Sequence, residues 1–349
     1  MRAVTYRGPS NLVVEEHPDR PLEPGEVRIA VEGTGVCGTD VRIYKGEHSA
    51  YADAEGRIPG HEIVGRITES AADELGAGLE LGSLVFVAPN LGCGHCVQCR
   101  TGNENLCPDT DGIGITLNGG FAEQLIVPAR AVEAGNLIPL AEDADTDTAV
   151  LIEPLACVLR GQAKIDVAQG DSVLVAGGGP IGLLHIALAV TRGASQVICS
   201  EPSPARREAA LKAGAAVVVD PTQEVLAEVV AGATDGLGMD VVITAAPIHA
   251  IQREALELAA PRGRVQFFGG LPKSRPTVEL DTNIVHYKEL ILAGTTASSL
   301  SDCRAAAELV AAGDIELDWM ISDVRALEDF AGAVDKVQDA SALKVVVKP

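Results

Sequence analysis

A chain of 349 residues with 47% hydrophobic side chains has material for two ordinary domains or one large one. Its formal net charge of −22, with acid runs such as "AEDADTDTA" (141–149), repels nucleic acid and anionic membranes and solubilises the surface. No apolar run is long enough to span a bilayer, and "MRAVTYRGPSNLVVEEHPD" lacks the features of a secretory leader, so a cytoplasmic setting is expected.

The N-terminal part is rich in Gly, Pro and short β-branched runs. "EVRIAVEGTGVCG" (26–38), "EIVGRITES" (62–70), "SLVFVAPN" (83–90) and "FAEQLIVPA" (121–129) each predict a strand between turn signals. That texture predicts an irregular β-barrel or sandwich. It changes near residue 150, where "DTAVLIEPLACVLRGQAKI" (147–165) predicts one helix. Alternation follows. "DSVLVAG" (171–177) reads as a strand buried on both faces, "PIGLLHIALAVTRGA" (180–194) as a helix, "QVICSE" (196–201) as a strand and "SPARREAALKAGA" (203–215) as a helix. Further strands are expected in "AVVVD" (216–220), "MDVVITAA" (239–246), "RVQFFGG" (264–270) and "ELILAGT" (289–295). This pattern predicts a doubly wound α/β domain with a parallel sheet. The tail adds a helix, "LSDCRAAAELVAAG", and a last strand, "ALKVVVKP".

Gly177, Gly179 and Gly182 stand in G-x-G-x-x-G spacing, after an apolar strand and at the opening of a helix. Gly177 allows the tight turn, Gly179 lets a pyrophosphate approach the backbone, and Gly182 lets helix and strand pack closely. Pro180 fits the first helical turn, where its missing N–H costs nothing, and Ile181 completes the segment offered to a dinucleotide. Glu201 ends the next strand, 19 residues after Gly182, and is placed to accept ribose hydroxyls. A carboxylate there favours NAD over NADP, although Arg206 and Arg207 follow closely, and Arg206 is a candidate coenzyme contact.

Cys93, Cys96, Cys99 and Cys107 have the spacing C-x2-C-x2-C-x7-C. In a reducing compartment a disulfide knot is disfavoured against a metal site. Four thiolates close a tetrahedral sphere and leave no open position, so a structural zinc is expected. An iron–sulfur cluster is the rival, but its usual spacing puts the fourth Cys about three residues after the third. A second set is dispersed: Cys37 in "GVCGTDV", His61 and Glu62 in "PGHEIVG", and Glu153 in "LIEPLA". Singly each has a plain reading in packing or surface. Together they offer the mixed sulfur, nitrogen and oxygen ligands of a catalytic zinc. Cys157, close to Glu153 in sequence, reads as packing, and Cys199 and Cys303 receive no role.

With these motifs in order, the chain resembles a zinc-dependent medium-chain dehydrogenase/reductase of the alcohol dehydrogenase superfamily. The carrying residues are "GVCGTD", "PGHEIVG", the four-cysteine loop, "IEPLA", "VAGGGPIG" and "YKELILAG". The resemblance implies a GroES-like β-rich catalytic domain over residues 1–152, a Rossmann domain over 153–296 and a return to the catalytic domain over 297–349, with the active site in the cleft between them. It also implies NAD as coenzyme and one catalytic and one structural zinc per chain. Cys37 and His61 match catalytic zinc ligands, and Glu62 or Glu153 ligates the metal or supports its water. Thr39 matches the residue that hydrogen-bonds the substrate oxygen. Glutamate followed by Pro-Leu resembles the sorbitol and polyol dehydrogenase branch, whereas L-threonine 3-dehydrogenases tend to an Asp-Pro-Phe version.

One position departs from the pattern. Where related enzymes carry a relay histidine, this chain has Arg42, which stays protonated and cannot shuttle protons. It is free to hold coenzyme or substrate oxygens. His48 is a possible substitute relay, though a surface role is the plainer reading. The expected activity is hydride transfer from a secondary alcohol (a polyol, sugar or cyclitol) to NAD. The rivals are an L-threonine 3-dehydrogenase or aminocyclitol type, a quinone reductase, and a non-enzymatic NAD(H)-binding sensor. The expected partners are a small-molecule alcohol and further copies of the chain, as a homodimer or homotetramer.

Overall fold

The computed structural model describes residues 1–349. The chain forms two compact units, Met1–Ala156 with Ala297–Pro349, and Cys157–Thr296.

In the second unit six parallel strands lie in the spatial order Val217–Val219, Gln196–Ser200, Ser172–Ala176, Met239–Thr244, Ala259–Phe267, Ile291–Gly294. The first of these in the chain, Ser172–Ala176, pairs with Gln196–Ser200 on one side and Met239–Thr244 on the other. The strand order therefore reverses at its carboxyl end, where ligands bind in doubly wound sheets. Val173, Leu174 and Val175 are fully buried, as the unbroken apolar run predicts. Helix Pro180–Thr191 follows directly and is itself buried almost all round.

The first unit is built on the long strand Val27–Val36. It pairs antiparallel with Glu62–Ser70, Gln124–Val127 and the chain's last strand, Lys344–Lys348. Val27, Ile29 and Val31 share one face of the strand and pack with Ile63, Ile67 and Val85 in one apolar cluster. The mixed β sheet of the first unit and the parallel sheet of the second agree with the α/β class expected from sequence. The predicted single helix over 147–165 is two helices, Thr146–Ala149 and Ile152–Lys164. Pro154 explains the break: it has no N–H for the carbonyl of Val150, and its ring would collide with that carbonyl in a continuous helix. No helix is long and apolar enough to cross a membrane.

Helix Pro180–Thr191 hides a polar group. His185 is fully buried, its ring edge-on to Phe268 at 4.6 Å, and Gln162 donates to its backbone carbonyl at 2.8 Å. Burial, reinforced by Arg192, pushes the imidazole down to about 3. The unfolded chain takes up this proton below about 6.5, the folded chain only near 3. Stability tied to His185 is thus complete above the unfolded value and is lost as pH falls between the two. Between pH 7 and 4 the wild type should lose about 3 kcal/mol more than His185→Leu. Denaturant midpoints across that range measure it, and parallel curves for the two proteins would contradict a neutral buried imidazole.

Candidate active site

Strand pairing assembles the dispersed residues. The strand Val27–Val36 ends one residue before Cys37, and Gly35 stands opposite Glu62 on one neighbour and Val346 on the other. Cys37 then caps the short helix Gly38–Tyr44. Its sulfur accepts the Thr39 N–H at 3.2 Å, while Asp40 accepts the Cys37 N–H at 2.9 Å. His61 precedes Glu62 and points its Nε2 at Cys37 Sγ, 3.3 Å away. The donor atoms of Cys37, His61 and Glu62 all lie within 4.8 Å of one another.

Charge around this trio is mostly negative. Asp40 is completely buried with one oxygen 3.9 Å from His61 Nδ1, and neither atom has another partner. Burial raises Asp40, and the His61 charge partly offsets this. Burial opposes an imidazolium at His61, but Cys37, Asp40 and Glu153 outweigh it and raise His61 well above the ordinary histidine value. The pocket therefore favours positive charge. A sulfur, a ring nitrogen and a carboxylate in such a field suit a borderline divalent cation such as zinc. Asp40 facing the far ring nitrogen is the partner that commonly orients a metal-binding histidine.

The carboxylate of Glu62 is already engaged. Lys344 Nζ contacts both its oxygens, at 2.7 and 2.6 Å, and both side chains are buried. Burial alone would lower Lys344, but Glu62, Cys37 and Glu153 reverse this and hold its ammonium raised. Gly35 makes the pair possible, since a Cβ there would sit 1.9 Å from Glu62 Oε2. Glu153 begins the helix Ile152–Lys164 and is 8% exposed. It lies near enough to act on His61 and Lys344 but outside the trio of mutually close donors. Thr39 Oγ1 accepts a hydrogen bond from Arg42 at 3.1 Å. His48 caps its own turn, with Nδ1 accepting the Ala50 N–H at 3.3 Å.

The cysteine loop is a second cluster. Its four sulfurs lie mutually within 4.8 Å, with separations of 4.0, 3.5 and 3.8 Å for Cys93–Cys99, Cys96–Cys99 and Cys96–Cys107. No sulfur is disulfide-bonded. Tetrahedral zinc with bonds of about 2.3 Å requires sulfurs about 3.8 Å apart, so the loop fits that ion. Backbone N–H groups of Cys93, Cys96 and Cys99 point at sulfurs at 3.3 to 3.4 Å. The N–H groups of His95 and Cys96 lower the Cys93 thiol to about 6, favouring the thiolate a metal needs.

In the second unit Gly177 has φ 113° and starts the tight turn, and a Cβ on Gly182 would meet the Gly177 carbonyl at 1.8 Å. Gly179 is different. Its missing Cβ would touch nothing closer than Arg206 Nη1 at 4.0 Å, so the space it keeps open faces outward from the turn. A pyrophosphate fits that cradle, at the N-terminus of helix Pro180–Thr191. Glu201 is buried, and its oxygens accept the N–H of Gly178 at 2.7 Å and of Ser203 at 2.9 Å. Each oxygen retains a lone pair for a ribose hydroxyl. Arg207 is turned away onto Asp220 and the carbonyls of Glu201 and Pro202. Cys199 and Cys303 are buried, with thiols raised to about 12 by burial.

The sequence reading passed over Gly35, Asp40 and Lys344. Lys344 was the most visible of the three: a lysine opening an otherwise apolar strand calls for a buried partner.

Comparison with known proteins gives this geometry a family. Residues 23–136 match the alcohol dehydrogenase GroES-like domain, and residues 180–312 match the zinc-binding dehydrogenase model. L-threonine 3-dehydrogenase of Pyrococcus horikoshii is 35% identical over 305 residues, covering 86% of this chain and 84% of its own. Sorbitol dehydrogenase of Halalkalibacterium halodurans is 28% identical over 348 residues, covering 99% and 98%. A zinc-binding dehydrogenase of Sinorhizobium meliloti, solved bound to NADP, superposes with a TM-score of 0.90 at 32% identity, covering 100% of this chain and 99% of its own. The chain belongs to the zinc-dependent alcohol dehydrogenases of the medium-chain dehydrogenase/reductase family, and it is an oxidoreductase.

Lys344→Met should leave Glu62 charged and unpaired in the interior and lower stability by about 3–5 kcal/mol. Gly35→Ala should act on the same pair by displacing the carboxylate, so the two losses should not add. Guanidinium unfolding of both single variants and the double variant tests this. Additive losses would mean the two residues act separately.

Proposed function

We propose that the chain oxidises a secondary alcohol of the polyol, sugar or cyclitol kind and passes the hydride to NAD. The supporting observation is the meeting of Cys37, His61 and Glu62 donors within 4.8 Å, with the Thr39 backbone N–H 3.2 Å from Cys37 Sγ. Cys37 and His61 would hold the catalytic zinc, with Glu62 or Glu153 as the oxygen ligand, and the cysteine loop would hold the structural one. Zinc there would supply a Lewis acid that brings an alcohol hydroxyl within reach of deprotonation near neutral pH. Asp40 orients His61, and Lys344 keeps Glu62 in place. Thr39 would position the substrate hydroxyl and relay its proton, taking it on a free lone pair while passing its own hydroxyl proton to water or a coenzyme hydroxyl, the other lone pair being occupied by the Arg42 hydrogen bond. Arg42 cannot take that proton further.

Gly177, Gly179, Pro180, Ile181 and Gly182 would receive the coenzyme pyrophosphate, with Arg206 beside them. NAD supplies the hydride acceptor. The buried Glu201 supports NAD, because its charge opposes a 2′-phosphate. The NADP in the Sinorhizobium relative makes the two coenzymes a necessary side-by-side comparison. A second reading, oxidation of L-threonine or a related amino alcohol, is favoured by the 35% identity to an L-threonine 3-dehydrogenase.

Purified protein should contain two zinc ions per chain. Cys37→Ser should retain one, lose at least about 10³-fold in kcat, and bind NADH within about two-fold of wild type. Elemental analysis, a panel of sorbitol, iditol, arabinitol, inositol and threonine, and NADH titration measure these quantities. Turnover that survives loss of the dispersed metal would reject the catalytic assignment. Absence of turnover with intact metal and NADH binding would favour a sensor.

Assembly is part of the same proposal. Strand Ile291–Gly294 is the sheet's edge, and Ile291 and Tyr287 beside it are 57% and 80% exposed. Such an edge suits pairing with the same strand of a second copy about a twofold axis. Sedimentation should show a dimer or tetramer at micromolar concentration, and Ile291→Lys should shift it toward smaller species. A monomeric wild type contradicts this.

A further inference from the structure

We infer that Arg42 anchors an anionic group of the substrate, so that the alcohol oxidised here carries a carboxylate or phosphoryl group close to its carbinol carbon. This rests on the reading of Cys37, Thr39 and His61 as the reacting site. Arg42 lies three residues after Thr39 on helix Gly38–Tyr44, so the two side chains share a face. Its Nη2 donates to Thr39 Oγ1 at 3.1 Å. That hydrogen bond places the guanidinium beside the hydroxyl that meets the reacting oxygen.

Arg42 is exposed and has no carboxylate partner, in a chain with 49 acidic and 27 basic residues. Arg20, Arg28, Arg66 and Arg264 each hold a carboxylate at 2.6 to 2.9 Å. One of Arg42's five N–H donors is used, and the planar fork of the others matches a carboxylate or phosphate. Its surroundings leave that fork as the uncommitted side-chain cation beside Thr39. Asp40, Glu62 and Glu153 crowd the site, and Lys344 is buried and committed to Glu62. An anionic substituent of the substrate would find its side-chain counter-charge in the exposed Arg42, next to Thr39.

Reach sets the substrate class. An oxygen hydrogen-bonded to Thr39 at about 2.8 Å stands no more than about 6 Å from the guanidinium nitrogen. A carboxylate or phosphate one or two carbons from the carbinol carbon spans the remainder. Hydroxy acids such as aldonates, 3-hydroxy amino acids and short phosphorylated polyols meet this condition, whereas sorbitol and inositol leave the guanidinium without a partner. The same oxyanion chemistry exists in the coenzyme pyrophosphate, so a test must separate the two sources.

The test uses the zinc-loaded enzyme with matched pairs: gluconate and sorbitol, glycerate and glycerol, a sorbitol phosphate and sorbitol. In any pair that turns over, the anionic member should have the higher kcat/KM. Arg42→Ala should lower the anionic-to-neutral ratio by about 30-fold, mainly through KM, and Arg42→Lys should restore part of it. Calorimetry of the anionic ligand binding to the NADH-bound protein should show the same loss without turnover. NADH affinity and the thermal midpoint should stay at wild-type values in both variants. Wild-type preference for the neutral members overturns the proposal while leaving the dehydrogenase reading intact. An unchanged ratio with weakened NADH binding also overturns it and assigns Arg42 to the coenzyme. No turnover of any pair, with zinc and NADH bound, removes the broader reading and this proposal with it.

Discussion

The site depends on one buried ion pair and on the glycine that admits it. Lys344 and Glu62 meet across the strand Val27–Val36, and Gly35 between them has no side chain to obstruct the carboxylate. Burying two charges is costly, and the bidentate contact at 2.6 and 2.7 Å offsets that cost only while both partners stay in place. The pair therefore fixes register more than it adds stability. It ties the chain's last strand to the strand that begins with Glu62, and so holds His61, the next residue back, against Cys37. A slip of one residue in either pairing would turn Glu62 or Lys344 to the opposite face.

The two sulfur-bearing clusters solve different electrostatic problems. In the cysteine loop, backbone N–H groups point at sulfurs of Cys107, Cys93 and Cys96; they favour the thiolate at Cys93, whereas burial raises the Cys99 thiol. Such a loop suits an ion that is fully enclosed and unreactive. Around Cys37, acids raise the charge demand of the pocket, and a lysine offsets one of them. The balance stays negative, which suits a cation whose coordination is shared between protein and a small molecule.

Legibility followed sequence distance. The cysteine loop and the glycine turn are local, so their spacing alone named the residues, and the doubly wound sheet followed from alternating apolar runs and helices. Cys37 and His61 are 24 residues apart and needed the family pattern to be joined. Lys344 lies 282 residues from Glu62, and nothing in the spacing reveals that the last strand pairs beside Cys37. Gly35 looked like one glycine among 37. The break before Pro154 was readable from proline geometry, but the strong apolar pattern around it argued for one helix.

Under the proposal for Arg42, the electrostatics bear on the choice of substrate. In place of an imidazole it removes a proton acceptor from the end of the Thr39 hydrogen bond and adds a permanent cation at the same point. If Arg42 anchors the substrate as proposed, one residue changes two properties that are usually discussed apart, the route of the proton and the charge of the bound alcohol. The Glu-Pro-Leu motif resembles enzymes acting on neutral polyols, while the 35% identity runs to an enzyme named for an amino acid. On the proposed reading these two signals report on different atoms, Glu153 on the metal side of the pocket and Arg42 on the substrate's substituent. A hydroxylated anion satisfies both: it offers the acid-lined centre an alcohol oxygen and offers the guanidinium its counter-charge.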